Sequence, residues 1–131
     1  MSRNPIQVIV VNPLSAPGVA IIEHSLENMQ KLVGGHIECV AFSGSPILGR
    51  GVDLWCNEEG KLLGLSQNRM FPDGTDLIAG TFFLAAHDGE GETVGLTDEE
   101  VREVIAALEA WPMLIDLGYL QQMTELKGKT T

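Results

Sequence analysis

Asp53-Leu-Trp-Cys-Asn-Glu-Glu-Gly-Lys-Leu-Leu-Gly-Leu-Ser-Gln-Asn-Arg69 is the stretch on which the reading of this chain turns. Leu54 and Cys56 alternate with Trp55, which is the period of a strand whose two faces differ. Asn57-Glu58-Glu59-Gly60 follows as a reversal, its glycine free to take positive φ without a Cβ clash. Residues 61–65 are then expected to return as the second strand of a hairpin, with Ser66, Gln67, Asn68 and Arg69 forming a polar corner beyond it. A hairpin at the centre of the chain predicts an antiparallel sheet.

Upstream, residues 36–42 alternate, with Ile37, Cys39 and Ala41 on one side and Glu38, Val40 and Phe42 on the other. Residues 43–51 hold three glycines and a proline and are expected to be a mobile loop. Ser25 offers an N-cap to a helix whose Leu26, Met29, Leu32 and Val33 form one apolar stripe, and Gly34-Gly35 ends it. Residues 6–11 are β-branched almost throughout, as in a strand buried on both faces, and residues 19–22 complete an opening hairpin. Pro13 and Pro17 break the chain between them.

Downstream, Pro72-Asp73-Gly74 is a chain reversal. Residues 77–86 form the longest apolar run and predict one central strand, in which Gly80 marks a bulge or the close approach of another backbone. Residues 92–96 read as an edge strand. Thr97 and Glu100 form a capping box for a helix with Val101, Val104, Ile105 and Leu108 on its apolar side, ending near Trp111-Pro112. Leu114, Leu117 and Leu120 suggest a further short helix, and residues 127–131 a frayed tail. The order β-β-α-β-β-β-β-β-α predicts an α+β fold: a largely antiparallel sheet of about six to seven strands with two main helices packed on it. One domain is expected over residues 1–112, with a C-terminal extension at 113–131.

Composition narrows the function classes. The chain of 131 residues carries 18 Asp and Glu against 8 Lys and Arg, a net charge of −10. So few cations do not suit a protein that neutralises phosphates, and direct nucleic-acid binding is not expected. A basic partner remains open. No apolar run approaches a membrane span and the first residues lack a signal pattern, so a soluble protein of the cytoplasm is expected. Cys39 and Cys56 read as buried thiols, and their spacing gives no metal motif.

Leu32-Val-Gly-Gly-His-Ile-Glu38, Cys56-Asn-Glu-Glu-Gly-Lys-Leu-Leu-Gly-Leu65, Asn68-Arg69, Gly80-Thr-Phe-Phe83 and Leu96-Thr-Asp-Glu-Glu100, in that order, resemble the family catalogued as domain of unknown function 3846. The resemblance spans roughly residues 6–108. Ser66-Gln67 departs from the proline-containing pair expected before Asn68-Arg69, which implies a less rigid loop. Members are typical of bacteriophages, plasmids and other mobile elements, so the resemblance implies genomic company rather than a chemistry.

The candidate site residues are few. Asn57, Lys61, Asn68 and Arg69 are the polar positions on which a small anionic ligand would be gripped, since an arginine fork matches phosphate or carboxylate. The alternative is architectural, with Asn68 capping the corner and Arg69 paired to Glu58 or Asp73. Glu99, Glu100 and Glu103 belong to an acidic run that either solvates a helix face or imitates nucleic-acid phosphates to occupy a host enzyme. Trp55, Phe71, Phe82, Phe83 and Trp111 read as core rather than as a stacking platform. His24, His36 and His87 have no nucleophile elbow near them, and no catalytic residue, cofactor or metal is expected. The reading that follows is a non-enzymatic accessory protein that binds a host protein or a ligand. Its alternatives are an acidic counter-defence inhibitor, akin to anti-restriction proteins, and a nucleotide-signal binding protein.

Overall fold

The structure, a computed structural model, describes residues 4–42 and 50–115. In chain order the elements are β1 (Pro5–Val11), β2 (Gly18–Glu23), α1 (Leu26–Val33), β3 (Ile37–Ala41) and β4 (Gly51–Asn57). They continue with β5 (Gln67–Met70), β6 (Leu77–Ala79), β7 (Phe82–His87), β8 (Thr93–Val94) and α2 (Asp98–Leu108). The main sheet has the order β2-β1-β7-β4-β3, with β8 paired to β7. Every pairing is antiparallel, and β5 and β6 form a small second sheet. The fold is therefore α+β with two helices on an antiparallel sheet.

The period-two alternation of the strands divides the core in two. Ile6, Val8, Phe83 and Ala85 face Met29 and Val33 of α1. Ile9, Val11, Leu54, Phe82 and Leu84 face Val104, Leu108 and Trp111 on the α2 side. Adjacent Phe82 and Phe83 are both fully buried because β7 is covered on both faces, which is why its sequence shows no polar alternation. Burying each such side chain contributes about 1.5–3 kcal/mol.

Both helices start and stop where the sequence directs. Ser25 accepts a bond from the Asn28 backbone, and Gly34 closes α1 in the left-handed region at φ 79°. Thr97 and Glu100 make the reciprocal capping box of α2.

The central hairpin is not formed. After β4, residues 61–65 curl into a compact turn instead of a returning strand, and the neighbours of β4 are β3 and β7. The cause is local. The Asn57 side chain accepts from the Glu59 backbone at 2.8 Å, and Leu63 N–H reaches Glu59 C=O at 2.8 Å, so the chain coils before a ladder can begin. Leu62 and Leu63 end in solvent, 86% and 59% exposed.

Two further expectations are corrected. The polar corner at 66–69 is largely strand β5, and the single strand at 77–86 is two strands in different sheets. Gly80 separates them at φ +87°, where a Cβ would meet Leu65 Cδ1 at 2.8 Å. The split adds one strand to the expected order, giving β-β-α-β-β-β-β-β-β-α.

Met113 and Leu114 are joined to β5 by a bridge to Arg69 and a bond to Asn68 C=O. Residues 116–131 of the extension, with most of the expected short helix and the tail at 127–131, lie outside the described residues, as does most of the 43–51 loop.

A candidate binding cleft and the polar residues around it

The coil after β4 is fixed from both sides. Asn57, the last residue of β4, donates from Nδ2 to Val33 C=O at 3.1 Å and so ties the coil to the end of α1. Gly60 lies against β6, where a Cβ would meet Ala79 C=O at 2.5 Å, so only glycine lets the two backbones approach. Lys61 then reaches Asp76 at 2.7 Å, ahead of β6, with both side chains more than half exposed.

Between β3, this coil and β6 lies a cleft of about 410 Å³. Val40, Cys56, Phe71 and Ile78 line its apolar part, and Leu62 stands at its lip. Glu38, Glu58, Glu59 and Asp76 line it too, against Lys61 as the one cation of the lining. That balance suits a cationic or neutral group and repels a free anion. Burial pushes the Cys56 thiol up to about 11, so it stays protonated and serves as apolar wall.

Of the four residues expected to grip a ligand, Asn57 and Lys61 line this cleft and the other two do not. Asn68 is fully buried, donating to Val11 C=O at 2.9 Å and Gly80 C=O at 2.8 Å. Arg69 donates to the Asn68 side-chain oxygen at 2.9 Å and to Ser15 C=O at 2.5 Å. Its described partners are neutral oxygens, not Glu58 or Asp73, and burial lowers its pKa. The pair fastens the small sheet to the end of β1 and to the turn after it.

The acidic run also divides. Glu99 and Glu103 are exposed on α2, whereas Glu100 is fully buried. Its carboxylate takes two bonds from Arg50 and one from the Thr97 backbone, and the Arg50 bonds hold its pKa below the usual carboxylate range despite burial. The aromatic residues sit in or against the core, with Trp55 over Phe83 on the α1 side and Phe42 and Phe71 packed on Trp111 on the other.

One polar group escaped the sequence reading. His87 Nδ1 lies 2.8 Å from Asp53 Oδ2, its ring over Gly51, where a Cβ would come within 2.0 Å of Cε1. Cys39 is exposed rather than buried as expected, and its thiol adjoins the same carboxylate, so partial desolvation and that charge raise its pKa. These residues come from three strands, and no local spacing signals them. The cleft was equally hidden, because its carboxylates belong to β3, the coil and the approach to β6. Among the described residues no group of His, Cys, Asp and Glu is placed to hold a metal ion, and no helix is long and apolar enough to cross a membrane.

Fold and cleft together define a small antiparallel α+β domain with a two-sided core and an acid-rimmed groove at the edge where the two sheets meet. Residues 6–109 match the family model DUF3846, described as a domain of unknown function, and the chain belongs to that family. No curated protein and no solved structure gives a significant match.

Proposed function

We propose that this protein is a non-catalytic accessory protein of a phage or other mobile element. It acts in the host cytoplasm by binding a host protein, and the cleft beside Lys61 is its contact site. The observation that carries this reading is the cleft's make-up: a carboxylate rim around an apolar floor, with Leu62 held out at 86% exposure. A partner segment with a basic side chain beside an apolar one fits both features, since the amine or guanidinium meets Glu38 and Glu59 while the apolar group covers Leu62 and Phe71. A small anionic ligand finds only Lys61 there, already engaged by Asp76, and Asn68 and Arg69 are turned inward.

A second reading has its own support. Glu99 and Glu103 are exposed side by side on α2, as a counter-defence inhibitor that occupies a basic nucleic-acid-binding surface requires.

A photo-crosslinking residue at Leu62, exposed to host lysate at low and high salt, separates the two. Capture that weakens with salt and disappears in Glu58→Lys/Glu59→Lys is the expected result. Loss in Glu99→Lys/Glu103→Lys alone moves the contact to α2. Turnover of a phosphate ester, nucleic acid or nucleotide that Arg69→Ala removes would overturn a binding role altogether.

A further inference from the structure

β2 is one end of the main sheet, and among the described residues no strand pairs with its outer side. The β1–β2 register runs from Pro5 opposite Glu23 to Val10 opposite Gly18, and His24 N–H bonds Asn4 C=O at 3.1 Å. That bond fixes the parity of the ladder. Residues 18, 20, 22 and 24 turn their backbone groups toward β1, and 19, 21 and 23 turn theirs outward. Val19 and Ile21 thus present N–H and C=O at the edge while their side chains stand 53% and 64% exposed. The Glu23 carbonyl is already taken by the Asn28 side chain, and Pro17 has no N–H to give, so the open edge is centred on Ala20.

Protein sheets ordinarily guard such an edge with a lysine, an inward charge, a bulge or a proline within the strand. β3, the opposite end of the sheet, carries Glu38 as its second residue. β2 has none of these between Gly18 and Ile22, and residues 12–22 hold no ionisable side chain in a chain of net charge −10.

We propose that β2 pairs antiparallel with β2 of a second copy, about a two-fold axis through Ala20. Val19 lies opposite the partner's Ile21 and Ile21 opposite the partner's Val19, each exchanging both backbone bonds. The four side chains form one apolar cluster on the α2 side of the joined sheet. On the other face Ala20 meets the partner's Ala20 in the closer, non-hydrogen-bonded position, where a small side chain fits.

Charge selects this occupant. Two strongly acidic copies repel wherever ionised faces meet, and this uncharged edge is where they can touch without that cost. A basic partner gains nothing from it. The two Glu23 side chains fall at opposite ends of the pair, roughly 20 Å apart at strand rise and beyond the screening length at physiological salt. The arrangement is isologous and closed, so it stops at a dimer.

Sedimentation equilibrium of the full chain tests it. The mass is expected to climb with concentration from 14.1 kDa toward twice that value, and added salt to leave the dimer unchanged or stronger. Ile21→Lys is expected to hold the protein at the monomer mass and to melt where dilute wild-type monomer melts, because Ile21 faces solvent in the monomer and only the dimer's contribution is lost. In a Cys39→Ser background, Ala20→Cys is expected to give a covalent dimer on mild oxidation, since directly opposed non-hydrogen-bonded positions meet the Cα spacing of a disulfide. A monomer at every concentration, a dimer untouched by Ile21→Lys, or a dimer dissolved by salt overturns the proposal. Should Ile21→Lys fail to fold, the absence of the Ala20→Cys cross-link does so instead.

Discussion

Two arginines fasten this molecule together, and they are anchored in opposite ways. Arg50, just ahead of β4, ends on the fully buried Glu100 carboxylate and on Gly95 C=O, stapling the sheet to the start of α2. Arg69, on β5, ends on the Asn68 side chain and on the backbone oxygens of Asn68 and Ser15. The first guanidinium has its charge balanced and its pKa raised by Glu100, whereas the second is held by neutral dipoles and its pKa is lowered by burial. A charge-balanced staple ties its stability to a carboxylate's titration. A dipole-held one depends on a fully satisfied hydrogen-bond network and is indifferent to acid.

The largest effect is expected where that network is emptied. Asn68→Leu keeps the branched outline of the side chain, with two bulkier methyl groups, but removes the donors to Val11 C=O and Gly80 C=O and the acceptor for Arg69. At about 1–3 kcal/mol for each buried polar group left unpaired, a loss of roughly 4 kcal/mol is expected, read from the urea midpoint. A loss below about 1 kcal/mol would mean that water or another group replaces the amide and that the brace is not structural.

Breaking the Arg50 staple should cost less, because Arg50 keeps 31% of its side chain in water. Glu100→Gln is expected to lose about 2–4 kcal/mol at neutral pH, at or below the usual range for breaking a buried pair. The pH dependence carries the sharper contrast. The folded pKa of Glu100 is depressed, so the unfolded state binds its proton more readily. The stability it contributes is complete above the ordinary carboxylate range and drains away as pH falls through that range and below it. The acid limb of the unfolding profile should therefore be flatter in Glu100→Gln, while Asn68→Leu should lower the whole profile without changing its acid slope. Equal slopes for wild type and Glu100→Gln would remove the distinction between the two staples.

These contrasts also explain what was legible in the residues. Ser25 and Gly34, the capping box at Thr97 and Glu100, and the apolar periods of β1 and α1 are local signals, and each acted where it stood. The hairpin after Cys56 was misread because Leu62-Leu63-Gly64-Leu65 looks like a strand when nothing shows that its leucines lack a core to face. What stopped it was one side chain, Asn57, bonding forward to Glu59 and back to Val33. Glu100 looked like one more surface acid because its partner lies 50 residues away. Asn68-Arg69 read either as a ligand grip or as a local brace, and its true partners were hidden for the same reason, as its acceptors come from β1, the turn after it and the link before β7. Local order was readable in the sequence. Which polar groups fold inward depends on long-range pairings that spacing does not encode.

The smallest expected effect on stability concerns a third cation. Lys61 holds Asp76 through a bond whose two side chains are both more than half exposed, and its ammonium lowers the carboxylate's pKa. Water and mobile side chains absorb most of such a pair, so Lys61→Met is expected to leave the urea midpoint where it was. It differs from the two arginines in where the lost charge is felt. Removing it strips the single cation from a cleft already lined by Glu38, Glu58, Glu59 and Asp76, and frees Asp76 to meet an incoming amine. A lysine- or arginine-bearing segment should then bind the variant more tightly than the wild type, most visibly at low salt, while stability stays unchanged. Weaker capture of a Leu62-crosslinked host protein by Lys61→Met would show that the ammonium itself is the recognised group, and the partner's chemistry would have to be acidic.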